Sequence, residues 1–99
     1  MVVRKSSKAG KKYMAIFTRD NAGAGRARTK TTHFGSAGMD DYTIKKDKEQ
    51  RKRYRDRHQK DLSTGDYMRA GFLSYYLLWG NSTSMRENLK SYKKRFNLS

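Results

Sequence analysis

The sequence contains no cysteine, which excludes disulfides and thiolate metal sites and points to a reducing compartment. Acidic residues are scarce, nine Asp and Glu against 24 Lys and Arg, for a formal net charge of +15. That imbalance bears on association with polyanions (nucleic acid, acidic protein surfaces, anionic lipid) and not on fold. Long apolar runs are also missing. The densest apolar stretch, Tyr67 to Gly80, is interrupted by Arg69 and is shorter than the about 20 residues a bilayer requires. The basic residues that open the chain lead into no apolar h-region, so neither a membrane span nor a secretory signal peptide is expected. The sequons at Asn81 and Asn97 then read as chance occurrences.

Catalytic constellations are missing as well. There is no Ser/His/Asp or Cys/His arrangement, no zinc spacing, no P-loop and no carboxylate pair in a pocket-forming context, so the expectation is a protein that is not an enzyme and holds no cofactor or metal. Asp40, Asp41 and Asp47, even with His33, match no calcium or two-His motif and are expected to cap helices and pair locally. Gly23-Ala24-Gly25 is followed by no Gly-Lys-Ser/Thr, which leaves it a turn and not a phosphate cradle. RNP aromatics, zinc fingers and a basic-region zipper are absent, so any nucleic-acid binding would be phosphate-dominated and blind to sequence.

What is present reads as one small α+β domain, an N-terminal β-hairpin followed by three short helices, of which the middle one is apolar and central. Residues 1–12, with five positive charges and no acid, are expected as a flexible basic arm, and residues 13–99 as the domain. Tyr13 to Thr18 has the apolar density of a strand, Asp20 to Gly25 supplies turn chemistry with an expected mobile tip, and Thr-rich Arg28 to Phe34 is its return. Gly35 and Gly38 let the chain leave the sheet. Asp47 with Gln50 forms a capping box opening a helix over Lys48 to Lys60 whose clear apolar anchor is Tyr54, and His58 is expected to meet that helix's last carbonyls. From Lys45 to Lys60 nine basic residues meet three acids, an excess that favours a polyanionic or acidic partner over mere solvation.

The central helix is expected from Tyr67, capped by Asp66, to Trp79, with Gly80 as its C-terminal glycine. Ser84 with Glu87 opens the last helix, where Met85, Leu89, Tyr92 and Phe96 recur at spacings of 4, 3 and 4 as one apolar stripe. Phe72, Tyr76, Leu77, Trp79, Leu89, Tyr92 and Phe96 are therefore candidates for core or for packing on a partner. Candidates to meet a polyanion or an acidic partner are Arg4, Lys5, Lys8, Lys11 and Lys12 on the arm, Arg51, Lys52, Arg55 and Arg57 on the first helix, and Lys93 and Lys94 near the end of the last.

The ordered set HFGSAGMDDYT (33–43), KDKEQRKRYRDRH (46–58), AGFLSYYLLWG (70–80) and SMRENLKSYKKRF (84–96) resembles a family of small basic proteins from large DNA viruses of algae and protists, the chlorovirus-like phycodnaviruses. The resemblance runs from Tyr13 or His33 onward and leaves the arm and the Gly23 to Arg28 turn outside. It carries no catalytic residues. It implies a viral setting, with synthesis in the infected host cell and residence in the virion. Within that setting two roles are expected. One is a minor capsid component that ties other virion proteins together through its basic arm and helices. The other is a nonspecific nucleic-acid-binding protein that helps package the genome.

Overall fold

Tyr13, Ala15 and Phe17 alternate along one strand and Thr-rich sequence returns beside it, and in a computed structural model these become long antiparallel partners. The structure describes residues 1–21 and 26–98, the side chains at 19–21 and 26–28 excepted. Strand β2 spans Lys11–Asn21 and β3 spans Arg26–Ser36, paired so that Tyr13 faces Phe34 and Phe17 faces Lys30. The pleat sends Ala15, Phe17 and Phe34 to the covered face, where all three are buried and the Tyr13 and Phe34 rings stack at 5.8 Å. The tip expected at Asp20 to Gly25 centres on residues 22–25, which lie outside the described residues, as do the side chains of Arg26 and Arg28.

The expectation for residues 1–12 is corrected. In place of a flexible arm, Val2–Lys5 forms β1, antiparallel to β2 with Val2 opposite Ile16 and Arg4 opposite Met14, giving a sheet in the order β1-β2-β3. The Ser6 amide donates to the Lys12 carbonyl at 3.0 Å, the Lys8 amide donates to Ser6 Oγ at 3.0 Å, and Gly10 takes φ 82°, a left-handed turn conformation suited to glycine. Two β-branched residues suffice for a short edge strand, while exposed Arg4 and Lys5 guard an edge that would otherwise invite another chain.

Helices cover the inner face of the sheet. Asp41 caps the short α1, Tyr42–Lys45, by accepting from the Thr43 amide, and Asp47 caps α2, Lys48–His58, by accepting from the amides of Glu49 and Gln50. A 3-10 turn over Gln59–Thr64 leads to the central helix, which is shorter than expected: α3 is Ala70–Leu73, continued by a π-helical turn over Ser74–Leu78. Asp66 Oδ1 does accept from the Met68 amide at 2.9 Å, but it caps a turn. The carbonyls of that turn are taken up elsewhere, Met68 by the Thr32 hydroxyl at 2.7 Å and Tyr67 by the Tyr92 hydroxyl. Ser84 caps α4, Met85–Arg95.

Gly80 has a different reason from the one expected. It is not among the glycines with positive φ; it is buried, and a Cβ there would sit 2.2 Å from the Tyr76 carbonyl oxygen and 2.8 Å from Asn88 Cγ. Close approach, not left-handed backbone, demands the glycine. Phe72, Leu73, Leu77, Leu78, Trp79 and Tyr92 are buried with the sheet residues, and Tyr76, Leu89 and Phe96 pack on them half-buried. The apolar helix is thus covered by this chain's own elements.

Candidate polyanion interface

Helix α2 has almost no apolar residue, yet it docks. Arg51, Tyr54, Arg55 and His58 recur at the spacing of one helical face, and that face points inward. Tyr54 lies parallel to Trp79, centroids 4.4 Å apart and planes 9° apart, and also stacks with His58, centroids 4.1 Å apart. Burial first, then the Asp61 charge, raises the Tyr54 phenol above its ordinary pKa, partly offset by a hydrogen bond with Ser74.

Arg51 and Arg55, expected as partner-binding cations, are engaged by the chain itself. Arg55 donates from Nε to the Trp79 carbonyl at 2.8 Å and from Nη2 to Asn81 Oδ1 at 3.0 Å. Arg51 donates from Nη1 to the carbonyls of Gly80 at 3.2 Å and Asn81 at 3.3 Å, and its guanidinium lies 4.5 Å from the Tyr42 ring centroid. These carbonyls follow the last turn of the central helix, where donors are needed and positive charge is favourable. Lys12 is engaged too, its Nζ 2.5 Å from the buried Asp41 carboxylate. His58 does not meet the end of its helix. Its Nδ1 lies 3.0 Å from Asp61 Oδ2.

The remaining candidate cations are spread over the surface. Arg4, Lys5 and Lys8 are exposed along β1 and its turn, Lys11 is half-buried, and the outward side of α2 carries exposed Lys48, Lys52, Arg53 and Arg57. Of these, Lys52 pairs with Asp56 at 3.0 Å. On α4 Arg86, Lys90, Lys94 and Arg95 are exposed and Lys93 is half-buried. The structure therefore does not gather all the predicted cations into one patch.

It does build a cleft that sequence reasoning missed. Between α2, the π-helical turn and α4 lies a hollow of about 240 Å³ lined by Arg55, Tyr75, Tyr76, Asn81, Ser91 and Arg95. Past Arg55 and Tyr75 it adjoins a trough of about 450 Å³ bordered by Lys48, Arg51, Lys52, Asp56 and Gln59. The Arg55 guanidinium stands 5.7 Å from the Tyr75 centroid and that of Arg95 stands 4.9 Å from Tyr76. Ion pairs among the described residues link Lys12–Asp41, Lys45–Asp40, Lys52–Asp56, His58–Asp61 and Arg69–Asp66, none of them at Arg51, Arg55 or Arg95. Burial first, and then the neighbouring Arg51 charge, lowers the Arg55 guanidinium below its ordinary pKa. The spacing of Arg51 and Arg55 marked a shared face; that the face turned toward a tyrosine pair could not be read locally.

A second hollow, about 580 Å³, lies between the sheet and α2 and holds both the Lys12–Asp41 and His58–Asp61 pairs. Among the described residues no group of three or more His, Cys, Asp or Glu is arranged to hold a metal ion, and no helix is long and apolar enough to cross a membrane.

Residues 1–58 match the model of a family of unknown function, DUF5754. The chain belongs to this family. No curated protein and no solved structure matches it. The DUF5754 span runs from β1 to the end of α2. That span contains Lys12 with Asp41 and also Arg51 and Arg55, whereas the carbonyls those two arginines bond and the tyrosines of the cleft lie beyond it.

Proposed function

We propose that this DUF5754 protein is a non-enzymatic structural protein of a virion that binds nucleic acid through its phosphate backbone. The viral setting comes from the resemblance carried by residues 33–43, 46–58, 70–80 and 84–96. The binding role rests chiefly on one observation: α2 turns Lys48, Lys52, Arg53 and Arg57 to solvent against Glu49 and Asp56, and behind them its inward arginines contact neutral acceptors and rings. A helix this rich in uncompensated charge favours a polyanion.

The role of a tie between shell proteins draws on the viral resemblance, on a small size that favours partners, and on an apolar helix with more surface than such a chain easily covers. Phe72, Leu77 and Trp79 are buried within the chain itself, which weakens the last of these and favours nucleic acid as the partner. The test is binding to a mixed-sequence DNA duplex as salt is raised. For about 6–10 phosphate contacts, affinity falls about 10³- to 10⁵-fold between 50 and 200 mM salt, whatever the sequence. No binding at low salt would overturn the proposal. Recovery of the protein from disrupted particles only with shell proteins, never with the genome, would return the minor capsid role.

A further inference from the structure

We propose that the cleft between α2 and α4 is a single-stranded nucleic-acid site, with Tyr75 as the surface on which a base stacks and Arg55 and Arg95 as its phosphate contacts. This deepens the proposed function and rests on it.

The first support is charge without compensation. Arg51 lies close enough to Arg55 for its charge to disfavour that of the Arg55 guanidinium, and the hydrogen bonds of the two go to the carbonyls of Trp79, Gly80 and Asn81 and to the Asn81 amide oxygen. Neutral acceptors satisfy the donors and leave the positive charge standing, so an anion entering here meets an attractive field already paid for in folding. The second support is shape. The hollow of about 240 Å³ is walled by both Arg55 and Tyr75, and both are half-buried. The broad backbone ridge of a duplex, with its bases stacked inside, presents no face to a recessed ring, whereas a single strand can turn a base inward and let phosphates follow the rim.

The third support is the chemistry of the lining. Guanidinium and phenol rings side by side are what sequence-tolerant single-strand binders offer, a stacking surface beside fixed positive charge. Asn81 and Ser91 add an amide and a hydroxyl at the wall. Tyr75 and Tyr76 sit in the π-helical turn, closed by the Trp79 amide donating to the Ser74 carbonyl at 3.1 Å. Such turns within helices recur at functional sites.

The experiment measures anisotropy of a fluorescent oligothymidine and of a mixed-sequence duplex, each with the wild-type protein and with Tyr75→Ala, Tyr75→Phe and Arg95→Gln, all checked for folding by circular dichroism. The expected result is that Tyr75→Ala weakens single-strand binding about tenfold or more while changing duplex binding less than about twofold, and that Tyr75→Phe restores it. Arg95→Gln, on an exposed side chain in the last turn of α4, is expected to weaken the single strand selectively even if Tyr75→Ala proves poorly folded. Equal losses on both ligands, or no loss on the single strand from either variant, would overturn the site while leaving duplex binding intact. A wild-type protein that binds neither ligand would instead refute the proposed function together with the site.

Discussion

Replacing Asn88 with Asp changes one amide nitrogen to oxygen and probes how α4 is fastened to the central helix. Asn88 is buried; its Nδ2 donates to the carbonyls of Leu77 at 3.0 Å and Ser82 at 2.7 Å, and its Oδ1 accepts from the Ser82 amide at 3.0 Å. Asn88→Asp keeps the acceptor and the shape but removes both donors, facing the buried Leu77 carbonyl and the part-buried Ser82 carbonyl with an oxygen. At about 1–3 kcal/mol for each group left unsatisfied, the cost is about 2–6 kcal/mol at neutral pH. For a domain of this size that lowers Tm by at least about 8 °C. The loss is pH-dependent with a defined sign. Burial and the facing carbonyls raise the new carboxyl's folded pKa above its unfolded value of about 3.9, so its contribution is favourable below that value and is lost as pH rises through the folded pKa. Urea denaturation of wild type and Asn88→Asp at several pH values between 4 and 7 measures it. A stability difference that does not widen with pH, or a difference below about 1 kcal/mol at pH 7, would refute the reasoning.

Gly80→Ala must displace the Tyr76 carbonyl or Asn88, whose atoms stand 2.2 and 2.8 Å from the new Cβ, and is expected to destabilise by about 1–3 kcal/mol in the same denaturation assay. Trp79→Ala removes a buried ring stacked on Tyr54 and should cost about 3–5 kcal/mol, a large part of a small domain's stability; an unchanged melting curve would contradict its place in the core. Burial raises the phenol pKa of both Tyr92 and Tyr54. In the unfolded chain these groups ionise near pH 10, so the stability they contribute is present below about pH 10 and is lost progressively above it. Melting temperatures measured upward from pH 9 should fall, and less steeply in Tyr92→Phe than in wild type once compared with each variant's own value at pH 8.

The hairpin, the caps Asp47 and Ser84 and the α4 stripe were legible because each depends on residues a few positions apart. Strand β1 was not, since Arg4, Lys5 and Lys8 among small residues look like a solvated tail, and only its partners Ile16 and Ala15 make it a strand. The start of the central helix was misplaced because Tyr67, Met68 and Arg69 suit a helix by composition, while Thr32 and Tyr92 take carbonyls that would otherwise stay in the helical ladder. Asn88 falls on the apolar stripe three residues after Met85 and four before Tyr92, where a lone amide gives no sign of three backbone partners. The same limit hid the cleft. Charge on a helix reads locally as surface, and only the packing reveals that Arg51 and Arg55 face inward beside Tyr75.

The central claim is that Lys12 and Arg51 hold the fold, that Arg55 holds it while also facing the cleft, and that the cations on the outer side of α2 meet the phosphates of a duplex. The measurement is the slope of log affinity against log salt for duplex DNA, compared between wild type and a variant with Lys48, Lys52, Arg53 and Arg57 all changed to Gln. If each of the four contacts a phosphate, the slope becomes shallower by about 0.9 per residue, about 3.6 in all, with melting temperature near that of wild type. An unchanged slope in a folded variant would contradict the claim.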